Sequence, residues 1–305
     1  MTAPPALDSG DRRAVSTVLD VAVCLLFVTA SVAVLVDVDR PTVSDPSSAD
    51  RAASLLGTTT ATVAYSPTGT TDLGNGAGTT CASSNDSGDC RTAHGSLASL
   101  LARAAVSEAT VDGTRISATS GGFERAVSNA TARRLAVLET DWQVVATWRA
   151  YPDAPLAGSV VVGDDPRPGV DVHAATLSVP VAVGRSTGEG RAGEVPTGVD
   201  SVARDAARAT VGRLFPPERT RLALLGSSPD DRLTAARYRR TAATLGVGLT
   251  DTVESGATER ANAYLVDALA ARYAADMRER TDGPADAAAS VSPRTVTVTV
   301  RTWST

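Results

Sequence analysis

Arg12 and Arg13 stand just before residues 21–36, a run with no charge and only Thr29 and Ser31 as polar side chains. As a helix that run covers about 24 Å at the usual rise per residue. A bilayer's hydrocarbon core is roughly 30 Å thick. Extending the helix back to Val15 supplies the difference and takes in Asp20, whose carboxylate can snorkel to the interface or find a cationic partner. A helix is required, because backbone groups in lipid have no water to bond. Beyond the run only Arg40 follows closely, after Asp37 and Asp39. The positive-inside rule therefore holds the N-terminus in the cytoplasm and sends the bulk of the chain outside. This gives a cytoplasmic segment 1–14, a transmembrane helix 15–37, a spacer and flexible loop region 38–92 and an extracytoplasmic domain 93–305.

Three processing routes fit this start. One is a plain single-pass anchor. A second is a removable secretory signal, for which Ser31-Val32-Ala33 offers a small-x-small site, although Asp20 sits ahead of the apolar stretch. A lipoprotein is excluded, because Val21-Ala22-Val23 precedes Cys24 with no small residue directly before the cysteine. The third rests on Arg13-Ala14-Val15-Ser16, continued by Thr17-Val18-Leu19. This stretch resembles the class III leader of archaeal type IV pilins and pilin-like proteins, whose typical members carry proline where this chain has Thr17. The resemblance covers about the first tenth of the chain. It implies cleavage after Ala14 on the cytoplasmic side, leaving Val15 as a new N-terminus on a retained helix. It also implies a leader peptidase, a polytopic platform protein, an assembly ATPase and other pilin-like subunits as partners. The freed amine of Val15 and the Asp20 carboxylate would share the first turn and a half. Paired between neighbouring helices they would set axial register, since an unpaired charge there is costly. In the bacterial pattern a glutamate sits one position earlier. The bland alternative for Asp20 is a carboxylate stabilised by the helix dipole.

Hydrophobic residues make up 43% of the 305-residue chain, enough for a real core, but aromatics only 4%, so alanine, valine and leucine must do most of the burying. All 29 basic residues are arginine, aspartate exceeds glutamate, and threonine is abundant. This composition resembles halophilic archaea, and with the leader it makes the chain similar to an uncharacterised haloarchaeal family of membrane-anchored proteins. The net charge of −5 with scattered arginines argues against nucleic-acid binding. The one basic cluster, Arg237-Tyr238-Arg239-Arg240, reads as a solvated helix face near a C-terminus. Cys81 and Cys90 bracket a polar stretch and suggest a disulfide in an exported domain, worth about 2–3 kcal/mol by loop closure. A metal reading there has only His94 to add. Asn85-Asp86-Ser87 and Asn129-Ala130-Thr131 fit the N-glycosylation pattern.

Residues 41–50 read as spacer, 58–65 as a β-branched strand and 66–90 as a long Gly/Ser/Thr loop. Leu97, Leu100, Leu101, Ala104 and Ala105 form one helical stripe, and Val127, Ala130, Leu135 and Leu138 another. Residues 142–148, 158–162 and 170–183 read as strands, the last broken at Pro180, which predicts an edge or a bulge. Residues 184–197 form a charged, glycine-rich loop. Helices follow over 202–214, from a Ser228 cap with Pro229 at its first turn to a stop at Gly246, and over 257–280 with Leu265, Leu269, Tyr273 and Met277 as a core seam. Val296, Val298 and Val300 alternate with threonines in the clearest strand of the chain. Helices and strands are segregated, so the expected class is α+β with an antiparallel sheet and several helices.

No catalytic constellation emerges, and no cofactor is implied. A P-loop needs lysine, which is absent. Gly184-Arg185-Ser186-Thr187-Gly188 matches G-x-S-x-G but lacks a helix directly after the serine and a downstream histidine. Asp171 and His173, with Asp164 and Asp165 nearby, form an incomplete ligand set and read more simply as a turn before a strand. The expectation is a non-enzymatic, pilin-like envelope component. The alternative is a membrane-anchored binding or sensory module whose ligand docks near the loops at 66–90 or 184–197.

Overall fold

Val296, Val298 and Val300 are fully buried, whereas Thr297 between them and Arg301 after them face water. That alternation is what a strand covered on one side requires. The structure, a computed structural model, describes residues 47–66, 90–117, 121–181, 198–226 and 228–304. The apolar N-terminal segment, with the transmembrane helix expected over 15–37, lies outside them. Among the described residues no helix is long and apolar enough to cross a membrane.

The strand β8 (Thr295–Trp303) is the last element of the chain, yet it lies inside the main sheet, antiparallel to both β5 (Asp141–Arg149) and β7 (Val172–Pro180). Beyond β5 come β6 (Leu156–Gly163) and a two-residue hairpin, β3 (Thr110–Val111) and β4 (Thr114–Arg115), giving the order β4-β3-β6-β5-β8-β7. Every pairing is antiparallel. The register puts Leu177, Val298, Ala146 and Val160 in one row of the buried face, and Ser178, Thr297, Thr147 and Ser159 in one row of the opposite face. Pro180 closes the edge strand β7, where its missing N–H leaves no ladder bond unmade.

Three helices pack on the apolar face: α1 (Ser48–Thr58), α2 (Leu97–Ser107) and α3 (Gly121–Leu135). A separate hairpin of β1 (Thr60–Tyr65) and β2 (Arg91–Ser96) lies against α3, with the Tyr65 and Phe123 rings 4.9 Å apart. The second half of the chain is helical: α4 (Val199–Leu214), α5 (Pro217–Leu225), α6 (Pro229–Leu245), α7 (Thr250–Glu254), α8 (Thr258–Arg280) and α9 (Pro284–Ser290). Local chemistry sets these boundaries. The Ser228 N–H donates to Asp231 Oδ2 at 2.6 Å across the start of α6. Gly246 ends that helix at φ 74°, a conformation that favours glycine. Leu265, Leu269, Tyr273 and Met277 are all buried along α8, the core seam their spacing predicts. Trp148 ties the two halves together, its indole donating to Pro293 O at 2.9 Å within the core.

The architecture is therefore α+β with antiparallel sheets. One boundary differs from expectation. The compact unit runs over Ser48–Thr305 and does not start at residue 93. Residues 48–50, read as spacer, open α1, which buries Ala49, Ala52, Ala53 and Leu56. Ser48 Oγ also lies 2.7 Å from Thr302 Oγ1 of the last strand. The Ala/Leu spacing of one helical face is present in the sequence, but Pro46 and the serines Ser47 and Ser48 after it mask the start.

The sheet and α2 touch backbone to backbone at Gly158, where an added Cβ would lie 2.0 Å from the carbonyl oxygen of Ala105. Gly158→Ala should therefore lower unfolding free energy by about 1–3 kcal/mol through overpacking. Denaturant titration of the full-length chain in detergent measures it. An unchanged midpoint would mean that α2 and β6 do not approach so closely.

Candidate functional site

Several expected site residues lie outside the described residues: Arg13, Ala14, Val15, Asp20, Cys24, Cys81, Asn85 and the 184–188 motif. Cys90, just before β2, is disulfide-bonded. Asn129 is exposed on α3, but the sequon's Thr131 is fully buried in the same helix, so a glycan would have to be added before folding. His94 is exposed on β2, its Nδ1 2.9 Å from Thr62 Oγ1 of the paired strand. His173 and Asp171 are exposed at the start of the edge strand, and Asp165 accepts from Gln143 Nε2 at 2.5 Å. Among the described residues no group of three or more His, Cys, Asp or Glu side chains is placed to hold a metal ion.

The structure instead draws attention to the junction of α4, α5, α6 and α8. Phe215, at the end of α4, is buried and stacks on buried Tyr238 of α6 with ring centroids 4.0 Å apart. The Tyr238 hydroxyl donates to Asn262 Oδ1 of α8 at 2.6 Å, and Asn262 Nδ2 donates to the Phe215 carbonyl at 3.0 Å. Arg237 lies over the Phe215 ring, its guanidinium carbon 5.4 Å from the ring centroid. Its Nε and Nη2 are both shut off from solvent, and neither has a hydrogen-bond partner. Burial, reinforced by the charge of Arg213, pushes the Arg237 pKa down to about 10. Arg213 is itself lowered by burial and then by the charges of Arg103 and Arg219. Arg213 on α4, with Arg103 and Arg219 acting on it in turn, thus adds positive charge beside Arg237 in a chain whose net charge is −5. Sequence reasoning missed this. It reads Arg237, Arg239 and Arg240 as one solvated face, yet only Arg239 and Arg240 are exposed. The available signal is Tyr238 and Phe215, a buried aromatic pair that a neighbouring arginine can stack on.

A second polar cluster joins α8 to the β5–β6 connection. Arg280 donates to Asp276 at 2.9 Å and lies 3.4 Å from Asp153, which is 3.6 Å from Arg149. Tyr151 and Tyr273 meet edge to face beside it, 5.1 Å between centroids. Nearby, a depression of about 240 Å³ is lined by Glu108, Thr110, Thr147, Arg149, Asp153 and Ser159, among others. Ligand pockets usually exceed roughly 300 Å³. Glu108 pairs with Arg115 at 3.3 Å, and no hydroxyl or thiol nucleophile there hydrogen-bonds to a base.

The family model of DUF7284, a family of unknown function, matches residues 19–303. The chain belongs to this family. The match takes in the apolar segment as well as every described element from α1 to β8. No curated protein and no solved structure matches the chain.

The buried tyrosines set the alkaline limit of this DUF7284 protein. Burial pushes the Tyr238 and Tyr273 phenols above the usual value near 10, and burial with nearby Asp276 does the same for Tyr151. The native state then holds protons that the unfolded chain releases. Stability is full below pH 10 and falls above it, by about 1.4 kcal/mol per pH unit for each such phenol. Arg237 and Arg213 act in the opposite sense, shedding their protons more readily in the native state, but the three phenols outnumber them. Thermal melts from pH 8 to 11 should fall above pH 10, and Tyr273→Phe should make that fall shallower. An unchanged slope in the variant would sink the assignment.

Proposed function

We propose that the chain is a single-pass membrane protein of the cell envelope. Its N-terminus is cytoplasmic and its α+β domain lies outside. It serves as a pilin-like subunit or accessory component of an archaeal pilus or secretion-type assembly, in a structural rather than catalytic role. The observation that carries this reading is the sequence Arg12-Arg13-Ala14-Val15 running into the uncharged segment 21–36. The disulfide at Cys90 supports it, because such bonds form and persist in oxidising compartments. Cys81 is its proposed partner. The DUF7284 match supports it too, since the apolar segment and the domain fall in one family model.

In this reading a leader peptidase cuts after Ala14, and a platform protein and ATPase add the subunit to its neighbours. The new Val15 amine meets Asp20 of an adjacent helix. Asn85 and Asn129 are the proposed glycan acceptors. Mass spectrometry of the N-terminus of protein purified from its membrane should return Val15 as the first residue. An intact Met1 or Thr2 would remove the pilin assignment and leave a plain anchor. Protease added to intact cells should trim the domain. Resistance there, with digestion after lysis, would overturn the exterior placement.

A further inference from the structure

We propose that the junction of α4, α5 and α6 binds a small oxyanion of the sulfate, phosphate or carboxylate class, held by the Nε–Nη2 edge of Arg237. This edge carries two parallel N–H donors, the geometry that grips two oxygens of one anion. Both donors are buried and unmet. A guanidinium left so is costly, and no carboxylate of the described residues pairs with it. The Phe215 ring supports the guanidinium from 5.4 Å, and Tyr238, held by Asn262, stacks on that ring. Arg213, and beyond it Arg103 and Arg219, make the surroundings positive. An anion seated on the fork would supply the missing acceptors and the missing negative charge together. Because the two nitrogens are sealed from solvent, the ion enters by local opening. Helix α5 packs on α6 and buries only Thr220, so it is the weakly held element beside the site.

The site does not depend on which side of a membrane the domain occupies, so its test is separate from that of the pilin reading. Full-length protein in nonionic detergent, at constant molar KCl, is titrated calorimetrically with sodium sulfate, phosphate and acetate. One saturable site is expected for at least one of the three. Arg237→Met should weaken it about tenfold or more, and Arg237→Lys, which keeps the charge but loses the fork, about as much. Arg240→Met, on the exposed face of the same helix, should bind as the native protein does. Tetrahedral ions binding without acetate would assign the site to phosphate or sulfate, and the converse would assign it to carboxylates. If the Arg237 variants do not fold, the Arg237 Nε–H resonance of the native protein should move and saturate in the same titration. No saturable heat from any of the three anions and no movement of that resonance would overturn the proposal, as would equal binding by Arg237→Met. Buried water would then be what meets the fork.

Discussion

The domain depends on β8, nine residues at the end of the chain, slotting between β5 and β7. Without it the sheet splits into two pieces and the apolar face loses Val296, Val298 and Val300 at its centre. The same strand carries Thr302, which meets Ser48 at the first turn of α1, so the two ends of the described domain are joined side by side. The pairings of β8 with β5 and β7 span far-separated parts of the sequence, so closing the sheet is a slow, non-local step of folding.

Scarcity of aromatic residues dictates how the core is filled. Alanine supplies much of the buried face of α2, at Ala98, Ala102, Ala104 and Ala105. Small side chains bring backbones together, which is why Gly158 has no room for a Cβ. The few large rings sit where distant parts meet: Trp148 at the return into β8, Tyr151 with Tyr273 between sheet and helices, Phe215 with Tyr238 among the helices. Each aromatic contact bridges elements far apart in sequence, so bulk is spent on tertiary joints and alanine on close helix packing.

This division explains what could be read from the sequence. Strongly periodic or well-capped elements were legible: the alternating valines of β8, the four-residue seam of α8, the Ser228 start and Gly246 stop of α6. The missing donor of Pro180 left an edge or a bulge open, and the sheet order shows the edge. Elements whose stability comes from elsewhere were not. In β2 only Ala93 is buried, so Arg91 and His94 hid a strand that exists because β1 pairs with it. In α5 only Thr220 is buried, with Leu222 and Leu225 largely exposed, so no periodicity marks it. The arginine junction was missed for a related reason. Arg237 differs from Arg239 and Arg240 only by what lies across from it, and Phe215 is too far away in sequence to announce the contact.

Arginine plays two physically distinct parts in this chain. Along the α4–α8 seam, Arg204 reaches Asp267 at 2.6 Å and Arg278 reaches Asp200 at 2.5 Å, with all four side chains largely exposed. Pairs of that kind contribute about 0–1 kcal/mol, and less in salt, where the screening length shrinks to roughly 3 Å at molar concentration. They orient the two helices more than they hold them. In the closed fold Nε and Nη2 of Arg237 are shut off from solvent, so screening reaches them less than it reaches the outer pairs. Their penalty is relieved by an acceptor supplied on the fork itself. Raising salt weakens the outer pairs more than it eases the demand of the inner guanidinium, so the two populations of arginine respond unequally to the same solvent.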